Sequence, residues 1–326
     1  MISARSMIES YLLPSSQQIM SDSQPHGVIA AACTPINADK GPDATLLAEH
    51  VRRLQTHGCD FVLLFGTTGE GLSFTVEERK RTLDAVISQG VDPASLLVGT
   101  GACPLPDAAE LTAHATDHNV AGVLVVPPFH FPVVSDDGVF AAYDALIRDV
   151  DDDRLRLYFY HFPDMTGVKI SFPVIQRLID AHGEQVAGVK DSSREWDHMQ
   201  ALCHSFPNLR IFSGTERFLA PIVAEGGAGC ISATVNVTAP LARKVYAGAV
   251  AGQDVKLDQD RLSNLRMDIA QYPVITALKC LLAMQTGETS WTRTRPPIIP
   301  PTDDLRAELD GVLTQLADLE APTSSA

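Results

Sequence analysis

Nowhere do the 326 residues contain an uncharged apolar run of about 18 residues, the length a helix needs to cross a bilayer. No membrane-spanning helix is therefore expected. Clustered cations are missing too. The 25 Lys and Arg are outnumbered by 40 Asp and Glu, giving a net charge of −15, and no basic block stands out. Nucleic acid and anionic membranes both require concentrated positive charge, so neither is expected as the main partner. A small anionic substrate, held by a few local donors, stays open.

There is no CxxC. Cys33, Cys59, Cys103, Cys203, Cys230 and Cys280 are widely spaced, which reads as reduced, mostly buried thiols of a cytoplasmic protein. Walker and dinucleotide fingerprints are absent, the Gly-Thr-Gly at 99–101 lacks the required spacing, and no nucleophile-elbow serine occurs. His114 and His118, four apart, make half a metal site at most. No third ligand lies near them in sequence, so a solvated helix face is expected and no metal is assigned. The first 25 residues are rich in Ser and Gln, carry Arg5 and Glu9, and hold no sustained apolar segment. They read as a mobile tail rather than a signal peptide, with Met20 an alternative start.

What is present is a repeat of short apolar, β-branched runs. They begin at Gly27, Phe61, Ser95, Ala121, Leu155, Gln185, Leu209 and Ala228, and segments of helical periodicity separate them. Thr75 and Glu78 form a capping box ahead of one such segment. Strands too apolar to alternate, each followed by a helix, belong to a parallel sheet covered on both faces. Eight of them predict an α/β fold of the (β/α)8 TIM-barrel type, with an open doubly wound sheet as the alternative. The barrel is placed at 26–252. Beyond the eighth run, helices are expected over about 240–251, 257–285 and 303–319; a barrel needs only the first, and the remainder, 253–326, reads as a C-terminal helical subdomain.

Barrel enzymes carry their chemistry at the C-terminal ends of the strands. Two such ends stand out. Lys190 closes the apolar run Val186-Ala187-Gly188-Val189. Desolvation disfavours an ammonium there, and a free amine attacks carbonyls; pairing with Asp191 or another carboxylate is the structural alternative. Tyr160 closes the run Tyr158-Phe159-Tyr160, in which Tyr158 and Phe159 read as barrel wall. A tyrosine beside an amine can shuttle protons, or it can simply cap the core. The turn Gly66-Thr67-Thr68-Gly69-Glu70 frees backbone N–H groups before a helix, an arrangement suited to a carboxylate.

Taken together, "FGTTGEG", "YHFPDMTG", "GVKDSS" and "GGAGCISATVNV", in this order, make the chain resemble the N-acetylneuraminate lyase/dihydrodipicolinate synthase superfamily from about Gly27 to the C-terminus. The resemblance implies that Lys190 forms an imine with a 2-oxo acid, usually pyruvate. It implies that Tyr160 is the acid/base and that Thr67 and Thr68 hold the substrate carboxylate and relay protons. It further implies a homotetramer, a dimer of dimers, with no metal or organic cofactor. Gly66, His161, Met165, Gly214, Glu216, Ile231, Phe129 and His130 are the accompanying substrate-binding candidates. His161 is equally compatible with packing.

The chain departs from the synthase branch at two points. Met165 stands where that branch carries an arginine for the aldehyde's carboxylate, and a thioether cannot replace it. Pro127-Pro128-Phe129-His130-Phe131 lacks that branch's relay tyrosines. Arg217, Arg194 or His130 are the possible replacements for the missing arginine. The sialic-acid branch is matched only in part, because Arg217 follows Glu216 and Ala233 replaces a serine. The expectation is a class I aldolase acting on a 2-keto-3-deoxy sugar acid or 4-hydroxy-2-oxoglutarate. Dihydrodipicolinate synthesis, a 2-keto-3-deoxy acid dehydratase and a non-catalytic 2-oxo-acid-binding protein are the alternatives.

Overall fold

The computed structural model of the chain describes residues 24–131 and 133–320. The tail expected over 1–25 lies almost wholly outside the described residues. Eight parallel strands close into a barrel in sequence order. They are β1 (Gly27–Ala31), β2 (Phe61–Leu64), β3 (Leu96–Gly99), β4 (Gly122–Val125), β5 (Leu157–His161), β6 (Val186–Asp191), β7 (Arg210–Ser213) and β8 (Gly229–Ser232). β8 closes on β1 with Cys230 opposite Val28 and Ile231 opposite Ile29. The open-sheet alternative is thereby excluded.

Side chains alternate across each strand, so a single run feeds two cores. Ile29, Leu63, Leu97, Leu124, Tyr158 and Phe212 fill the barrel interior. Val28, Val62, Val98, Val123 and Phe159 face the helices. Tyr158 and Phe159, neighbours in sequence, therefore serve opposite faces. Phe159 packs against Tyr143 at a ring distance of 4.8 Å, while Tyr158 approaches Phe212 at 6.1 Å. The capping box forms as expected. Thr75 accepts from the N–H of Glu78, and the Glu78 carboxylate accepts from the N–H of Thr75.

The C-terminal part differs from the expectation in two respects: the helix expected over 303–319 is two, Asp303–Glu308 and Asp310–Glu320, and the longer one before it is broken as well. The continuous helix over 257–285 is two helices, Lys256–Ala270 and Val274–Thr286, meeting at 109°. Pro273 causes the break. It has no N–H to donate, and its ring disfavours helical backbone at Tyr272. Apolar residues of both helices, including Leu262, Leu265, Leu278 and Leu281, belong to the same continuous cluster as the outer faces of the strands. Among the described residues no single helix is long and apolar enough to cross a membrane.

Two long-range ties fix the loops around the barrel mouth. Glu70 and Lys279 form an ion pair in which both side chains are fully buried, and the Lys279 ammonium also donates to the Arg293 carbonyl at 3.0 Å. Arg295 grips the Glu78 carboxylate with both terminal nitrogens and donates to the carbonyls of Ser73 and Lys40. That clamp holds the proline-rich segment 296–300 over the C-terminal ends of the strands.

Candidate active site

Lys190 and Tyr160 are cross-strand partners in the register of β5 and β6. The same face of both strands points inward, so both side chains reach the mouth from below. Both are buried, and the Lys190 nitrogen lies 4.2 Å from the centre of the Tyr160 ring. The Tyr160 hydroxyl is 3.4 Å from the Thr67 hydroxyl. Neither Asp191 nor any other described carboxylate forms a salt bridge with Lys190. The Asp191 carboxylate instead meets His198 Nδ1 at 2.6 Å and accepts the Ser193 N–H at 2.7 Å.

The loop after β2 is shaped by backbone that few residues adopt. Phe65 and Glu70 both have φ near +55°. Such conformations cost energy and persist only where the surroundings enforce them; at Glu70 the buried pair with Lys279 does so. Gly71 is required because a Cβ there would lie 2.0 Å from the Phe65 carbonyl. The loop is closed by bonds from the N–H of Glu70 to the Thr67 carbonyl and from the N–H of Gly71 to the Gly66 carbonyl. Among the described residues, the N–H groups of Thr67 and Thr68 have no acceptor.

These groups share a cavity of about 940 Å³. Thr67, Thr68, Tyr160, Met165, Lys190 and Gly214 all line it. Gly66 lines a smaller adjoining space of about 140 Å³ together with Thr67, Tyr160 and Met165. Met165 is 56% exposed at the entrance, with its sulfur 3.9 Å from the Thr67 hydroxyl. Gly214 approaches the Ser192 side chain so closely that a Cβ would sit 2.0 Å from its hydroxyl.

The remaining candidates lie outside the cavity wall. Glu216 is fully buried and accepts from the hydroxyls of Ser232, Thr234 and Thr238. Ile231 is a fully buried interior residue of β8. His161 stacks on His198 at 4.6 Å, and its Nδ1 accepts from the Ile170 N–H, which places its proton on Nε2. Burial pushes the His161 imidazole below its ordinary range, so it stays neutral. Phe129 is half-buried and His130 exposed on the loop after β4.

Several wall residues carried no local signal. Arg266 and Met267 come from the helix after residue 255, and Pro297, Ile298 and Ile299 from the clamped proline-rich segment. Only the tertiary structure brings them over the mouth. The sequence likewise gave no third partner for His114 and His118. Asp84, from the preceding helix, places one carboxylate oxygen 2.8 Å from the Nε2 of each. That oxygen joins two neighbouring helices at the surface.

A (β/α)8 barrel with a buried lysine and tyrosine side by side at its mouth has the frame of a barrel enzyme, and its family makes it a lyase. The match extends over residues 24–316, and the chain belongs to the dihydrodipicolinate synthetase family. It is 38% identical over 287 residues to an uncharacterized DapA-like lyase of Chloroflexus aurantiacus, covering 88% of this chain and 95% of that protein. Against the 4-hydroxy-tetrahydrodipicolinate synthase of Synechococcus sp. (strain CC9605) the identity is 28%, over 89% of this chain and 94% of the relative. Among solved structures, dihydrodipicolinate synthase from Agrobacterium tumefaciens str. C58 superimposes with a TM-score of 0.81 at 34% identity, covering 91% of this chain and all of that one. The Sulfolobus 2-keto-3-deoxygluconate aldolase complex with D-KDPG shares the fold, with a TM-score of 0.79 at 23% identity over 91% of this chain and 99% of that one.

Proposed function

We propose that the protein is a Schiff-base aldolase that cleaves or forms the C3–C4 bond of a 4-hydroxy-2-oxo acid, with pyruvate as the imine-bound half. The observation that carries this reading is the buried Lys190 amine, free of any carboxylate partner among the described residues, beside the Tyr160–Thr67 hydroxyl pair.

In this reading the Lys190 nitrogen attacks the C2 carbonyl, and Tyr160 protonates the departing oxygen so that the carbinolamine loses water. The protonated imine is the electron sink, so the chain's own lysine supplies what the bond cleavage needs. Tyr160, once deprotonated, takes the proton from the C4 hydroxyl. The C3–C4 electron pair moves into the enamine and an aldehyde leaves. Protonation at C3 and attack by water then release pyruvate and restore the amine. The N–H groups and hydroxyls of Thr67 and Thr68 hold the C1 carboxylate. Proton transfer by a positioned group is worth about 10²–10⁴-fold.

The cavity of about 940 Å³ far exceeds the space pyruvate occupies, which supports a substrate extended beyond C3. A 2-keto-3-deoxy sugar acid or 4-hydroxy-2-oxoglutarate meets that description. Met165 at the entrance offers no donor to the carboxylate of a short aldehyde, which weighs against dihydrodipicolinate synthesis. That synthesis is nonetheless the second reading, because Arg194 and Arg217 line the same wall. The working assembly we propose is a cytoplasmic homotetramer.

Borohydride reduction in the presence of pyruvate tests the imine directly. A stable adduct on Lys190 is expected, and its absence would sink the proposal. Product analysis on 2-keto-3-deoxy acids separates aldol cleavage, which releases an aldehyde, from dehydration, which does not. A coupled assay with aspartate semialdehyde tests the second reading.

A further inference from the structure

The cavity wall has a charge pattern opposite to that of the chain. Asp and Glu outnumber Lys and Arg by 40 to 25 overall, yet the wall contains Lys190, Arg194, Arg217 and Arg266 and no acidic residue. Lys190 is accounted for by imine chemistry, and the C1 carboxylate by the loop after β2. Three guanidinium groups are left over.

None of the three has a salt-bridge partner among the described residues. The Nη1 of Arg266 is buried and has no hydrogen-bond acceptor among the described residues. A guanidinium nitrogen withdrawn from water without an acceptor is costly, which makes an anionic ligand the natural complement. The placement of Arg266 is built into the fold. Its helix, Lys256–Ala270, packs against the turn Glu216–Phe218 that carries Arg217. Gln259 of that helix pins the contact, donating to the Glu216 carbonyl at 3.0 Å and accepting from the Ala220 N–H at 2.9 Å. Arg266 follows Gln259 by two helical turns and so lies on the same face. Arg194 sits in the left-handed region, at φ +66°. That conformation is uncommon for a long side chain and is concentrated at functional sites. Trp196, two residues on, packs on Phe218 at 5.5 Å, so the loops bearing Arg194 and Arg217 are neighbours.

We infer that Arg194, Arg217 and Arg266 form a second anion subsite, and that the aldehyde half of the substrate carries its own anionic group, a phosphate ester or a terminal carboxylate, remote from the 2-oxo acid. This rests on the aldolase reading for the identity of the substrate and deepens it. Planar guanidinium groups suit either oxyanion because they donate in pairs.

The test compares kcat/KM for cleavage of 2-keto-3-deoxygluconate, its 6-phosphate ester and 4-hydroxy-2-oxoglutarate. One of the two substrates with a second anion should be favoured over 2-keto-3-deoxygluconate, which lacks it, by about 10- to 100-fold, as expected for charged hydrogen bonds. Which of the two is favoured identifies the anion. Arg217→Ala and Arg266→Gln should each lower that preference at least about tenfold. A preference near unity, or one that survives both substitutions, overturns the inference. A binding readout independent of the imine accompanies the kinetics: the shift in melting temperature produced by 3-phosphoglycerate against that by glycerate. A larger shift with 3-phosphoglycerate, lost in both variants, supports the subsite even if pyruvate and borohydride leave Lys190 unmodified, in which case only the aldolase reading falls. Equal shifts with the two compounds, together with no kinetic preference for either doubly anionic substrate, in an enzyme that pyruvate does modify, remove the subsite and leave the aldolase.

Discussion

The Lys190 nitrogen stands 4.2 Å from the centre of the Tyr160 ring, and the two residues are direct cross-strand partners in β5 and β6. The pairing of β5 with β6 brings them together, since register partners on neighbouring parallel strands point to the same face of the sheet. The Thr67 hydroxyl, 3.4 Å from that of Tyr160, extends the pair towards the loop after β2.

Removing the Tyr160 hydroxyl should therefore damage proton transfer more than binding. Tyr160→Phe keeps the ring over Lys190 and is expected to lower kcat by about 10²–10⁴-fold. Pyruvate should still be trapped on Lys190 by borohydride, but more slowly. Steady-state kinetics and the trapping rate check this together; an unchanged kcat would remove Tyr160 from the chemistry.

The Glu70–Lys279 pair joins the loop after β2 to the helix Val274–Thr286 with both side chains fully buried. Breaking such a pair from one side leaves a charge stranded in the interior, at about 3–5 kcal/mol. Lys279→Met should lose that much stability in urea or thermal unfolding, and Glu70→Gln combined with Lys279→Met should lose less. The single variant should also raise KM for pyruvate, because Glu70 is then no longer held at φ +55°.

Acid should loosen the clamp on the proline-rich segment. Hydrogen bonds from Arg295 hold Glu78 well below its ordinary 4.5, at about 2. Because the folded-state value is depressed, the pair contributes its stability in full above about 4.5 and loses it as pH falls towards about 2. Urea midpoints measured across that window should decline. In Arg295→Met the part of the decline due to Glu78 should shrink to what its bond to the Thr75 N–H sustains, and some affinity should be lost for substrates long enough to reach Ile298.

Glu216 offers a test of structure against binding. It faces three hydroxyls in the interior and lies outside the cavity wall. Glu216→Gln presents an amide N–H₂ where a hydroxyl donor expects an acceptor, at about 1–3 kcal/mol. The melting temperature should fall while KM for the 2-oxo acid stays the same. A raised KM at unchanged stability would return Glu216 to the substrate site.

Much of this molecule is legible along the chain because it is local. Eight short apolar runs separated by helical periodicity point to the barrel, since strands buried on both faces leave few other architectures, and the β8–β1 pairing excludes the open sheet. Lys190 and Tyr160 stand out because each ends an apolar run at the place where barrels present reactive groups. Met165 is legible for the opposite reason, as a thioether where a cation would be needed. Local reading fails at the helix after residue 255, where periodicity runs through Pro273 but the backbone cannot follow.

What only the tertiary structure decides are pairings between residues far apart in sequence. Glu70 with Lys279, Asp84 with His114 and His118, and Glu216 with Ser232, Thr234 and Thr238 leave no mark in composition or spacing. The same is true of Arg266, an ordinary arginine on a helix until that helix packs against the turn Glu216–Phe218 and brings it to the cavity wall. Burial and partnership are properties of the packed chain. Local pattern carries the strand–helix repeat and marks Lys190 and Tyr160 as the ends of buried strands; packing decides which charges are left without a partner among the described residues.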